Sequence, residues 1–154
     1  MFAGNLKSSN KYDNYFFYWV FPNIDMASDQ PIILYMNGGP GSTSMNALFT
    51  ENGPLRTVQR DKADNDSFEI WYEPQDSWAS VGTLLFVDQP VGTGWSWGEK
   101  SAESLEEVGA DFVTFILNLY GELPWLSGKE LIITGESFAG KYLSYISKAI
   151  LDHN

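Results

Sequence analysis

The sequence predicts an α/β fold, a mostly parallel sheet with helices against its faces. Three features carry that expectation. Apolar, β-branched runs of strand length recur at 31–36, 83–87 and 129–134. Segments with apolar residues at helical spacing lie between and after them. The last run passes through one tight turn directly into an amphipathic segment, and strands alternating with helices favour parallel pairing.

Taken in order, residues 15–21 are aromatic and β-branched and read as a strand ended by Pro22. A polar turn is expected over 23–30. Pro31-Ile32-Ile33-Leu34-Tyr35-Met36 reads as a buried strand, and a short helix is expected over 45–49. Residues 58–67 are charged and polar and read as a surface loop, with Ile70-Trp71-Tyr72 as a short strand. Thr83–Val87 is the continuous apolar run of a buried parallel strand. Residues 92–98 form a Gly/Trp loop in which Trp95 and Trp97 either line a pocket or close a core. Ser104-Leu105-Glu106-Glu107 is a capping box. Leu105, Val108, Phe112, Phe115, Ile116 and Leu119 then fall on one helical face. That helix should end near Tyr120-Gly121, with Pro124 beyond it. A final helix carries Tyr142, Ile146, Ala149 and Ile150 as its apolar stripe.

Composition bounds the function. The 154 residues suit one domain with a sizeable core, and 44% hydrophobic with 16% aromatic residues is a globular composition. Twenty acidic against 9 basic residues give a net charge of −11, which argues against a nucleic-acid or anionic-membrane partner. There are no cysteines, so neither a disulfide framework nor a Cys-based metal site is expected. The N-terminus lacks the charged and apolar regions of a signal peptide, and no apolar run approaches the about 20 residues of a membrane span. No cofactor and no metal are expected.

The chemistry is concentrated in Gly135-Glu136-Ser137-Phe138-Ala139-Gly140, between a strand and a helix. Strand, tight turn and helix is the setting of a nucleophile elbow, where a strained turn presents a hydroxyl above the sheet. Small flanking residues are required because helix and strand backbones nearly touch there. Gly135, Ala139 and Gly140 meet that need, with Ala139 standing where the usual pattern has Gly. The plainer reading is a serine in an ordinary strand-to-helix loop. Asn37-Gly38-Gly39-Pro40-Gly41 after the earlier strand weighs against it. A Gly-rich turn there is where α/β-hydrolases build half of an oxyanion hole, the other half being the N–H after the nucleophile, here Phe138.

Together these stretches resemble the serine carboxypeptidase family of the carboxypeptidase Y and cathepsin A type, in its N-terminal part. The resemblance also covers Phe16-Phe17-Tyr18-Trp19, Leu48-Phe49-Thr50-Glu51-Asn52-Gly53-Pro54, Asp76-Ser77-Trp78, and the run from Leu85 through Asp88-Gln89-Pro90-Val91-Gly92-Thr93-Gly94 to Ser96. It implies that residues 1–154 are the N-terminal portion of a single α/β-hydrolase domain, with a sheet incomplete at its C-terminal side. It implies Ser137 as nucleophile and Gly39 with Phe138 as oxyanion donors. Asn37 and Glu136 would bind the C-terminal carboxylate of a peptide or protein, helped by the Gly38 N–H. Glu51 would pair with Glu136, and two carboxyl groups sharing a site cannot both ionise cheaply. Tyr35 and Phe138 would shape side-chain pockets or serve the core. The address implied is vacuolar, lysosomal or secreted. Ser42 stands where family members usually carry a cysteine, which weakens that address.

A serine nucleophile needs a base and an orienting acid. The sole histidine, His153, follows 16 residues after Ser137, roughly 24 Å away along a helix, and is expected to be an exposed helix-end residue. The catalytic Asp and His are therefore expected from a C-terminal chain segment. The function expected is a serine-type carboxypeptidase portion working through an acyl-enzyme. The alternatives are a carboxypeptidase-like acyltransferase and a non-catalytic truncated binding or structural protein.

Overall fold

The computed structural model describes residues 1–25, 29–61 and 64–154. Its organising element is one mixed sheet, built from β1 (Phe2–Lys7), β2 (Asn14–Phe21), β3 (Ile32–Met36), β6 (Thr83–Val87), β7 (Trp97–Gly98) and β8 (Leu131–Gly135). The strand order is β1-β2-β6-β3-β8, with the two-residue β7 also pairing β2. β3 runs parallel to both β6 and β8, whereas β1, β6 and β7 all pair antiparallel with β2. The parallel part thus comprises the two strands expected to be buried, β3 and β6, together with β8, which feeds the tight turn. The antiparallel edge comes from the aromatic N-terminal segment, whose neighbouring strand β1 carries little apolar signal.

Alternation along the strands makes two cores. Ile32, Leu34 and Met36 of β3 join Phe16, Tyr18 and Val20 of β2 on one face. That face is covered by α2 (Leu105–Glu122) and α3 (Ala139–His153), through Phe112, Phe115, Ile116, Leu119, Tyr142 and Ile146. Ile33, Tyr35, Leu84 and Phe86 point the other way, against Met45, Ala47 and Leu48 of α1 (Met45–Thr50) and Ala79. Burying each such large side chain contributes about 1.5–3 kcal/mol. Strands apolar on both faces are what a covered parallel sheet requires.

The cap of α2 forms one half as written in the sequence. Ser104 Oγ accepts from the Glu107 N–H at 3.2 Å. The reciprocal bond reaches one residue further back, from the Glu103 N–H to Glu107 Oε2 at 2.8 Å. Part of the polar turn expected over 23–30 falls on residues 26–28, outside the described residues.

Two expectations are corrected. Residues 58–67 are not a loop, although 62 and 63 lie outside the described residues. Those described, 58–61 and 64–67, belong to β4 (Leu55–Asp61) and β5 (Asp64–Tyr72), which pair as a separate antiparallel ribbon. Its polar sequence reflects exposure, not irregular backbone: Arg60 pairs across the ribbon with Glu69 at 2.9 Å, and buried Leu55 anchors its base. Trp95 and Trp97 do not close the core. They are 71% and 53% exposed, and Trp97 stacks on Tyr15 with ring centroids 4.4 Å apart. No helix of the described residues is long and apolar enough to cross a membrane.

Candidate active site

The parallel register brings the motifs together. Tyr35 pairs with Thr134 and Met36 with Gly135, so the ends of β3 and β8 lie side by side. The Glu136 N–H donates to the Met36 carbonyl at 3.2 Å, carrying that pairing past the strand end. β6 ends beside them, with Tyr35 opposite Phe86. Three loops therefore open at the carboxyl ends of neighbouring parallel strands, where ligands of open α/β sheets bind.

Ser137 sits on the turn between β8 and α3 with φ 60°, and it alone among the described non-glycine residues has positive φ. A side chain in this left-handed region is strained, as a nucleophile elbow demands. The turn is closed by Ala139 N–H to the Glu136 carbonyl at 3.1 Å and Gly140 N–H to the Ser137 carbonyl at 3.0 Å. The Gly-rich loop lies hard against it. A Cβ on Gly38 would stand 2.5 Å from the Phe138 nitrogen and 2.7 Å from the Glu136 carbonyl oxygen, so only glycine fits. Gly39 follows with φ 106°. Among the described residues, neither the Gly39 nor the Phe138 N–H donates a hydrogen bond. Free donors brought close to an exposed serine are what an oxyanion hole is made of.

Asn37 is buried, and its Oδ1 has no hydrogen-bond partner among the described residues. Glu51 follows α1, and its backbone is fixed by bonds to the Ala47 carbonyl and from Arg56 of the ribbon. Glu51 and Glu136 are both exposed, and no direct hydrogen bond joins them. Tyr35 is the link instead. Its ring is buried in the second core, where it makes an edge contact with Trp78. Its hydroxyl donates to Glu51 Oε2 at 3.0 Å. Burial, then the bond to Glu51 and the charges of Glu51 and Glu136, push the phenol up to about 12, so it remains a donor. Tyr35 is thus a core side chain whose hydroxyl reaches Glu51.

Phe138 packs edge-on against Tyr142, with ring centroids 5.2 Å apart. Both line a cleft of about 500 Å³ with Pro40, Gly41, Val91 and Leu105. A slightly larger cleft, about 570 Å³, lies between the β1–β2 loop and α2 and contains none of the expected site residues. His153 borders that second cleft, at the far end of α3 from Ser137. No cluster of metal-ligating side chains occurs among the described residues.

Sequence reading missed the network that braces the Gly-rich loop. Asp88, wholly buried, accepts from Thr43, Ser44 and Trp95, and Ser44 Oγ accepts from the Asn37 N–H at 3.1 Å. The available signal was a charged residue directly after a buried strand, at the strand end where the other motifs also lie.

The chain is similar to known proteins in sequence and in fold. A family model described as serine carboxypeptidase matches residues 1–154. The pheromone-processing carboxypeptidase kex1 of Aspergillus terreus is 38% identical over 156 residues, covering 100% of this chain and 24% of that protein. The corresponding protein of Candida glabrata is 37% identical, with 100% and 20% covered. The crystal structure of Kex1(delta)p, a prohormone-processing carboxypeptidase from Saccharomyces cerevisiae, superimposes with a TM-score of 0.85 at 33% identity. It covers 99% of this chain and 34% of that one, so the mixed sheet with its helices is part of an α/β-hydrolase-type fold. The chain spans about a quarter or less of the curated relatives named here. It belongs to the serine carboxypeptidase family.

Proposed function

We propose that this chain is the nucleophile-bearing portion of a serine-type carboxypeptidase that releases C-terminal residues of peptides or proteins through an acyl-enzyme. The observation that carries this reading is Ser137 at φ 60° on a turn packed against Gly38 of the Gly-rich loop. Ser137 Oγ attacks the carbonyl carbon of the last peptide bond. The Gly39 and Phe138 N–H groups receive the oxyanion, each such donor being worth about 3–4 kcal/mol in the transition state. Asn37, the Gly38 N–H and Glu136 hold the substrate carboxylate, with Glu51 and Tyr35 behind them. The proton of Ser137 passes to a histidine oriented by an aspartate, both contributed by chain beyond these 154 residues. His153 does not serve, since α3 places it about 20 Å from the elbow. Collapse of the tetrahedral adduct expels the C-terminal amino acid, and water then hydrolyses the acyl ester on Ser137.

The test is turnover of blocked dipeptides by the full-length protein. Wild type should release the C-terminal amino acid, and Ser137→Ala should lower kcat by about 10⁴-fold or more. Turnover that survives Ser137→Ala would place the nucleophile elsewhere. Full-length protein that hydrolyses esters or transfers acyl groups, but does not cleave peptides bearing a free carboxylate, would favour the acyltransferase reading. A full-length protein without activity would favour the non-catalytic one.

A further inference from the structure

Asp88 follows the last residue of β6, and its side chain is wholly buried. A buried carboxylate needs partners. Here every partner is a donor belonging to one of two loops. Oδ1 accepts from Thr43 Oγ1 at 2.8 Å and from the Ser44 N–H at 2.7 Å. Oδ2 accepts from the Trp95 N–H at 3.0 Å. No lysine, arginine or histidine pairs with it among the described residues. The Gly/Trp loop closes directly onto the carboxylate: a Cβ on Gly94, whose φ is 52°, would stand 2.0 Å from Oδ2. The backbone of Asp88 is fixed as well, donating to the Phe17 carbonyl at 3.0 Å and accepting from Ser96 Oγ at 2.6 Å.

The grip extends to the two residues directly before Gly39, an expected oxyanion donor. Ser44 Oγ donates to the Val87 carbonyl at 2.6 Å and accepts from the Asn37 N–H at 3.1 Å. The Ser42 N–H donates to the Gly38 carbonyl at 3.1 Å. Residues 37 and 38 are therefore tethered one after the other, and Ser44, which holds the first of them, is itself held by Asp88.

We propose that Asp88 is a positioning residue that, through Ser44, fixes Asn37-Gly38-Gly39 so that the Gly39 N–H meets the developing oxyanion. This rests on the serine-hydrolase reading of Ser137. Oxyanion donors act within about 2.7–3.1 Å, so a small displacement of this loop removes much of their effect. Burial pushes the Asp88 carboxyl above the usual aspartate range, and the three donated bonds oppose that shift. The three donors fix where each carboxylate oxygen lies, and with it the two loops they belong to.

The test uses the full-length protein, a blocked dipeptide and a matching ester without a free carboxylate. A fluorophosphonate end-point titration counts competent sites. On the ester, Asp88→Asn should lower kcat per titrated site by about 10–100-fold, with KM within about threefold of wild type. Ser44→Ala should act in the same direction. The double variant should fall little below Asp88→Asn alone, because both act through one tether. Unchanged kcat per site with a lowered thermal midpoint would make Asp88 merely structural and overturn the proposal, as would strictly additive losses. If Asp88→Asn does not fold, wild-type kcat per site in Ser44→Ala overturns it. Wild type active on the ester alone would overturn the carboxypeptidase reading, leaving the Asp88 role to be judged on that ester. Wild type inert to both substrates and to the probe would overturn both.

Discussion

At the scale of single residues, the site is a contest between burial and charge. Glu136 and Glu51 flank a tyrosine whose proton is committed to Glu51. Under the proposed role, Glu136 faces an incoming carboxylate, to which a carboxyl group donates only when protonated, whereas a glutamine would offer an N–H at every pH. Glu136→Gln should therefore lower KM severalfold at neutral pH for peptides with a free C-terminus, with little change in kcat. Amidated or esterified substrates, which carry no such charge, should be unaffected. Equal effects on both substrate types, measured by initial rates, would remove Glu136 from the carboxylate site. Asp88 yields a second expectation. Its folded pKa lies above the ordinary 3.8, mainly through burial. A group raised on folding contributes stability that is complete below its unfolded pKa and is lost as pH rises through the folded one. Asp88→Asn should accordingly flatten the decline from acid to neutral pH, read as the difference in urea midpoints between wild type and variant. An unchanged difference across that window would show that Asp88 is not the source. Ser137 and the glycines around it were legible in the sequence because an elbow constrains residue size at fixed spacing. Asp88 was not, because its partners lie about 7 and 45 positions away in the chain.

At the scale of elements, legibility followed whatever signal was periodic. The six-residue stripe of α2 and the two-faced apolar runs of β3 and β6 each encode a geometry, and the structure shows those geometries. The ribbon of β4 and β5 encodes none that is apolar. Its pairing is stabilised by cross-strand contacts such as Arg60 with Glu69, and polarity there resembles that of a loop. The ribbon matters to the site because Arg56 donates to the Glu51 carbonyl and so fixes the residue after α1. The cap of α2 gives a measurable element-scale quantity. Ser104 Oγ satisfies the Glu107 N–H, while Glu107 braces the residue ahead of the cap. Ser104→Ala should cost about 0.5–2 kcal/mol. Chemical denaturation of the full-length protein is the check, and a cost near zero would mean that water replaces the hydroxyl without penalty.

At the scale of the whole molecule, the 154 residues carry a nearly finished core beside an unfinished edge. Phe16, Phe112, Phe115 and Tyr142 are buried as deeply as in a complete domain. β8 is different: among the described residues it pairs with β3 on one side only, and Ile132 within it is 40% exposed. An open edge strand with exposed apolar side chains is a template for further pairing. Leu117 and Leu151 add exposed apolar surface on the two long helices, at 48% and 73%. The proposal that this is the N-terminal portion of one α/β-hydrolase domain therefore has a physical consequence for the isolated 154-residue chain. It should self-associate at micromolar concentration, seen as a rising scattering mass, and unfold without a sharp cooperative transition. Under the proposed function, in which the activating base comes from outside these 154 residues, it should also react with a fluorophosphonate no faster than an unactivated serine. The two readouts test different things. A monodisperse, cooperatively unfolding monomer would mean that β8 needs no further partner and that the chain is a self-sufficient small domain. Rapid stoichiometric labelling of Ser137 in that monomer would mean that a base lies within these residues after all, and the requirement for an external aspartate and histidine would fall with it.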